Sequence, residues 1–189
     1  MVDGVHLFLN PLGTKALLRV PCSALASDVV HLHDVIGARA DELRERLQAA
    51  PSWTERFALL DRIFCDMLTE RRVLPELDWG WQAIMRDAGR VRVDRLAERI
   101  GWSRRHLTQR FRTELGVTPK TVARIARFEQ ACALLKRSPA SLADTATAAG
   151  YHDQSHMTRE WQALAGLTPR AWVADELPFI QDYELAGLE

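Results

Sequence analysis

The chain has 189 residues, 47% of them hydrophobic and 7% aromatic, enough apolar matter for one large or two small cores and too few aromatic and β-branched runs for an all-β protein. Formal net charge is zero, which by itself points to no partner, but the balance is uneven. Residues 90–172 hold 15 Lys and Arg against 7 Asp and Glu, so this stretch carries +8 and the remainder −8. That split reads as a basic module beside an acidic one, with a merely solvated basic face as the plain alternative.

In chain order, Val5, Leu7 and Leu9, then Ala16, Leu18 and Val20, alternate about a turn at Asn10-Pro11-Leu12-Gly13. This predicts a short β-hairpin, which needs a partner because a lone hairpin is at best marginally stable. Residues 22–38 read as loop with a short helix or two. Leu43 and Leu47 mark an amphipathic helix over 40–49, broken by Pro51-Ser52. Ser52 and Glu55 make a capping box for a helix to about Leu68, with Phe57, Leu60, Phe64 and Met67 on one face. The polar stretch from Arg71 to Asp78, with Pro75, is the expected boundary.

A helix over 79–88 follows, with Trp81, Ile84 and Met85 as its apolar side, ended by Gly89. Residues 93–100 predict a short helix with Leu96, Ala97 and Ile100 inward, capped near Asp94. Gly101 turns the chain into a basic helix with Ser103 as its N-cap and Leu107 and Phe111 facing a core. Gly116 closes that helix and Pro119 opens a longer one to about Lys136, with Val122, Ile125, Ala126, Leu134 and Leu135 as a buried stripe. Ser138-Pro139 stops it. A short helix over 141–149, a turn at Gly150, a helix over 154–165 and a last short helix from Pro169 containing Trp172 complete the ordered part. The tail from Pro178 is acidic and expected to fray.

The second half of this series repeats the first. Gly101 aligns with Gly150, His106 with His156, Leu107 with Met157, Phe111 with Trp161, Gly116 with Gly166, and Thr118-Pro119 with Thr168-Pro169. Leu96-Ala97 aligns with Leu142-Ala143 upstream. Two helix-turn-helix units joined by one long helix explain the pattern. A helical solenoid is the structural alternative, against which stand the presence of only two copies and the long connecting helix.

These motifs carry a family resemblance. Leu96-Ala97-Glu98-Arg99-Ile100-Gly101-Trp102-Ser103 with Leu107 and Phe111, the segment Gly116-Val117-Thr118-Pro119-Lys120, and Gly150 to Met157 followed by Trp161 and Gly166-Leu167-Thr168-Pro169-Arg170 resemble the DNA-binding domain of AraC/XylS-type transcriptional regulators over residues 80–173. Residues 1–70 resemble more weakly the end of the sensor domain of a subset of these regulators, with 16–21 as a late strand of a small barrel. On that resemblance the chain carries only the last part of a sensor. Met157 and Trp161 stand where the family usually has phenylalanines, and Val122 where a tyrosine is common.

The expected fold is therefore mainly α: two helix-turn-helix subdomains joined by a long linker helix, preceded by a small α+β remnant with a short β-hairpin. Residues 1–72 form a partial sensor or dimerisation region, 73–78 a linker, 79–175 the double helix-turn-helix domain and 176–189 an acidic tail.

The resemblance implies a sequence-specific regulator that places two recognition helices in successive major grooves of double-stranded DNA. In the first helix, Arg105, Thr108 and Gln109 match base-reading positions, Arg105 suiting guanine and Gln109 adenine. Arg104, Arg110 and Arg112 are expected on phosphates. In the second, Gln154, Ser155 and Arg159 match the base-facing positions, with Thr158 and His152 near the backbone and Glu160 flanking the interface. Leu96, Ile100, Leu107, Phe111, Met157 and Trp161 are the expected structural core. Further expected partners are a second copy of the chain and, where a complete sensor exists, a small-molecule effector. A non-DNA-binding interaction module pairing through residues 1–70 is the alternative function.

No catalytic, cofactor or metal site is expected. Cys22, Cys65 and Cys132 form no CxxC pair and have no fixed basic neighbour, which speaks against both a zinc knuckle and an alkyl-accepting enzyme. His106 and His156 have no carboxylate or thiol at ligand spacing, and His31-x-His33-Asp34 with Cys22 or Cys65, though geometrically allowed on a strand, reads more simply as surface or loop histidines. Reduced thiols, no membrane-length apolar run and no signal-peptide layout fit a cytoplasmic protein.

Overall fold

The computed structural model describes residues 4–25, 29–69, 73–137 and 141–176. Eleven α-helices and no strand lie among the described residues: α1 (Pro11–Leu18), α2 (Leu32–Ile36), α3 (Ala38–Ala49), α4 (Trp53–Thr69), α5 (Pro75–Arg86), α6 (Val93–Ile100), α7 (Arg104–Leu115), α8 (Pro119–Arg137), α9 (Leu142–Ala148), α10 (Gln154–Ala165) and α11 (Pro169–Glu176). They fall into two compact units, residues 1–78 with 105–118, and 79–104 with 119 onward. The Ser138-Pro139 stop and the tail beyond Glu176 lie outside the described residues.

The expected hairpin is a helix. Asn10-Pro11 is not a strand turn but a helix start: the Asn10 side chain accepts from the Gly13 N–H at 2.7 Å, and Pro11 takes the first helical position, where its missing N–H costs nothing. Leu12, Thr14 and Leu17 are buried, and Arg19, at φ 62°, ends the helix by donating to the Lys15 carbonyl. None of the alternating residues is among the buried ones, and Val5, Leu7 and Leu9 precede the helix, so the short alternation carried no strand signal. Residues 4–10 form no regular element, and Phe8 is 97% exposed.

The rest of the first unit follows its capping signals. A 3₁₀ turn at Cys22–Ala24 and α2 occupy the loop region, and Ser52 Oγ accepts from the Glu55 N–H at 3.2 Å at the head of α4. The buried side of α4 is Leu59, Leu60 and Met67. Phe57 points outward, 6.1 Å from the Trp53 ring, and Phe64 is half-buried, so the apolar stripe is rotated from the expected one. α7 belongs to this unit, with Leu107, Phe111 and Leu115 fully buried at i, i+4 and i+8. Its closing Gly116 has φ 78° and abuts the backbone of Cys22 and Ser23, leaving no room for a side chain. Lys15 of α1 meets Glu114 of α7 at 3.2 Å.

The segment expected as a linker, 73–78, ends the first stretch of the first unit and holds the first turn of α5, which Pro75 opens. Leu77 is buried, as are Trp81 and Ile84 in the second unit, whereas Trp79 is 39% exposed. At α6, Leu96 and Ala97 are buried and Ile100 only half-buried, so Ile100 is an edge residue rather than the expected core one. Asp94 does not provide the N-cap, which is Arg92; it pairs with the Arg92 guanidinium at 2.6 Å and accepts from the Arg95 N–H. Val122, Ala126 and Leu135 form the buried side of α8, while Ile125 faces out and Leu134 is half-buried.

α8 to α11 close over one core of Ala131, Leu135, Leu142, Ala146, Tyr151, Met157, Trp161 and Val173. Trp161 is its centre, edge-on to Phe128 at 4.7 Å and to Trp172 at 5.4 Å.

Candidate nucleic-acid interface

Each of the two basic helices is anchored by its apolar stripe and presents another arc outward. On α7, Arg105, Thr108, Gln109 and Arg112 fall at i, i+3, i+4 and i+7, one face of the helix. Arg105, Gln109 and Arg112 are exposed and Thr108 is half-buried. Gln109 donates to Thr113 Oγ1 at 3.4 Å. Arg104, in the first turn, is exposed. Arg110 lies off this arc and is half-buried, its guanidinium 3.4 Å from Glu114, the carboxylate that also holds Lys15.

On α10, Gln154, Ser155, Thr158 and Arg159 share one arc while Met157 and Trp161 point into the core. Ser155 and Arg159 are exposed, Gln154 and Thr158 half-buried. The helix starts on Asp153, whose carboxylate accepts from the His156 N–H at 2.6 Å and lies 2.8 Å from the His152 ring. The His152 contact, then the His156 N–H, hold the Asp153 carboxyl below its ordinary range. His152 itself is exposed at the mouth of the turn.

Glu160 is not a flanking surface charge. Its side chain is only 14% exposed, with its oxygens 3.0 Å from Arg124 Nε and 3.3 Å from Arg127 Nη2 of α8 and 3.7 Å from His156 Nε2. It sits on the far side of the buried stripe from the Ser155–Arg159 arc. Arg127 also donates to the Gly89 carbonyl at 2.9 Å. Neither arginine was singled out from the sequence. Both are charges on a mixed helix whose partners lie 33 to 38 positions away, and no local pattern reveals such pairs.

Other groups singled out from the sequence lie apart. The His33 ring meets Asp41 at 2.7 Å, and no cluster of three metal-ligating side chains exists among the described residues. No helix among them is long and apolar enough to cross a membrane.

The sequence profile of the helix-turn-helix domain family matches residues 96–175, the stretch that contains both basic helices, the connecting α8 and both glycine turns. What the match gives is the likeness of residues 96–175 to helix-turn-helix domains.

Curated relatives match part of the chain. This chain is 33% identical over 95 residues to the MmsAB operon regulatory protein of Pseudomonas aeruginosa, covering 49% of this chain and 31% of that one. It is 37% identical over 70 residues to the uncharacterized HTH-type transcriptional regulator YbfI of Bacillus subtilis, covering 37% and 25%. With the F1 operon positive regulatory protein of Yersinia pestis it shares 30% over 82 residues, covering 43% and 27%. The matches span a third or less of the length of these relatives. No solved structure matches the chain.

Proposed function

We propose that this chain is a sequence-specific DNA-binding transcription regulator whose two helix-turn-helix motifs enter successive major grooves of one duplex. The observation that carries this reading is the repeated motif itself: two helices, one before and one after the 19-residue α8 in the chain, each anchored by buried apolar residues and each offering an arc of polar and basic side chains. Nineteen helical residues span about 28 Å, commensurate with the roughly 34 Å between successive major grooves. The curated relatives are named as regulators, which supports the same reading.

In this reading Arg105 forks onto guanine O6 and N7, and Gln109 onto adenine N6 and N7. Thr108, Gln154, Ser155 and Arg159 complete the base-reading set. Arg104, Arg112, His152 and Thr158 hold phosphates, with Arg110 at the margin because it shares its charge with Glu114. The protein works in the cytoplasm, where its DNA is.

Residues 1–72 form the pairing and sensing part. A pocket of about 350 Å³ lined by Leu17, Leu43, Phe64 and Met67 together with Arg39, Glu42, Arg46 and Asp66 suits a small effector with an apolar body and a polar group.

Selection of binding sites from random duplex DNA with the purified protein tests the reading. A bipartite consensus with half-sites one helical turn apart is expected; recovery of no enriched sequence overturns it. One observation favours a second reading, an interaction module that pairs through residues 1–70 without DNA. Phe8, Val29, Trp53 and Phe57 all stand exposed in that region. Sedimentation showing a dimer, together with no shift of any selected duplex, would favour it.

A further inference from the structure

Spacing between two half-sites is read by whatever fixes the second recognition helix against the helices leading into the first. A single connecting helix is one such element, but a second brace is present within the unit formed by residues 79–104 and 119 onward. The loop between α5 and α6 is pressed onto α8 and onto the turn before α10. Gly89, at φ 72°, lies so close to the Ala123 backbone that no side chain fits there. The Arg90 guanidinium donates to the Ala148 carbonyl at the end of α9, and its stem fills the space over Gly150. Arg127 of α8 then ties both sides together, donating to the Gly89 carbonyl at 2.9 Å and to Glu160 of α10 at 3.3 Å. Arg124 supports the same carboxylate at 3.0 Å.

We infer that Arg127, held between the Gly89 carbonyl and the Glu160 carboxylate, is a positioning residue that locks α10 to the α5–α6 loop and so sets the half-site spacing the protein accepts. Three features of the geometry support it. The arginine fork reaches two acceptors on elements that no stretch of backbone joins directly. The Glu160 carboxylate is mostly out of solvent, so losing a guanidinium leaves a buried charge underpaired and the helix under pressure to move. The Arg90–Ala148 contact lies on the same loop, so a loosened Gly89 frees the α9–α10 turn as well.

The inference rests on the two-groove reading above, and the test separates the two. Affinity is measured by fluorescence anisotropy for the selected operator and for operators with one base pair inserted or deleted between half-sites. One base pair moves the second half-site by about 3.4 Å and turns it by about a tenth of a helical repeat. Wild-type protein should prefer its own spacing by about tenfold or more, the size of a single mismatch penalty. Arg127→Met should bind all three operators with a preference of about twofold or less. Glu160→Gln, which keeps the shape of the side chain and removes its charge, should give an intermediate loss and serves if Arg127→Met does not fold. Simple destabilisation would weaken all three operators alike and leave the preference standing, which overturns the inference.

A second readout needs no DNA. Spin labels at Arg95→Cys on α6 and Ala163→Cys on α10, in a chain with Cys22→Ser, Cys65→Ser and Cys132→Ala, should give a narrow distance distribution that broadens with Arg127→Met. If the wild type binds no duplex, the two-groove reading fails while this measurement still decides the brace. An unchanged distribution overturns it.

Discussion

Arg105 and Gln109 stand one turn apart on the exposed arc of α7, with Leu107 and Phe111 holding that turn from the buried side. A guanidinium presented this way can make two parallel bonds to one base edge, which a lysine in its place cannot. Arg105→Ala should therefore cost about 1–3 kcal/mol on the half-site it reads and relax selection at one base pair, leaving the other half-site unaffected. Anisotropy on operators substituted at each position checks this, and an unchanged position profile removes Arg105 from the reading set.

Tyr151 offers a test at the same scale that needs no DNA. Its ring is buried in the α8–α11 core with its hydroxyl unpartnered among the described residues. Burial, then the Glu160 charge, push its pKa up to about 12 from the usual 10. A raised pKa means the folded state keeps its proton longer than the unfolded state, so the contribution is whole below pH 10 and lost as pH rises towards 12. Urea denaturation should show stability falling over that interval in the wild type and a flatter profile in Tyr151→Phe. At neutral pH the substitution should be nearly neutral, because the hydroxyl it removes makes no bond.

At the scale of elements, the helices differ in how sharply their ends are marked. Gly101 ends α6, Gly116 ends α7, Pro119 opens α8, Gly166 ends α10 and Pro169 opens α11, and α10 runs over 154–165 as its sequence predicts. Each of those residues acts through local geometry, so the sequence displays it. α1 is the counter-example, since the short alternation read there picks out none of its buried residues. The exposed arcs of α7 and α10 were legible for the same local reason. The Arg124–Arg127–Glu160 network and the closure of Gly116 on Cys22–Ser23 were not, because they join residues whose separation in the chain carries no periodic signal.

The glycines turn this into a measurable order. Gly89 and Gly101 both adopt positive φ, 72° and 79°, so either alanine substitution incurs the left-handed penalty of about 1–2 kcal/mol. At Gly101 nothing lies within 4 Å of the added methyl. At Gly89 the methyl would meet the Ala123 carbonyl, and backbone has to move. Gly89→Ala should thus be the more destabilising of the two by urea melts, and Gly101→Ala should stay near the conformational penalty alone. Equal losses would mean the loop yields without resistance.

For the whole molecule the charge division becomes decisive. A neutral protein is not steered to DNA by net charge, yet the +8 stretch, 90–172, contains both exposed arcs, and charges separated by more than the Debye length of about 8–10 Å are screened from one another. The −8 of the remainder weakens the basic arcs only where its charges lie within that length. Binding through both helices with about six phosphate contacts should give log K against log salt a slope of about −5, and Arg112→Ala should make it shallower by about 0.9. Truncating the duplex to one half-site discriminates further. If one motif carried all the contacts, removing the half-site of the other would leave the slope unchanged. If both contribute, the slope should fall towards half its value, as only one set of counterions is then released. A flat salt profile on the intact operator would remove nucleic acid from the list of partners altogether.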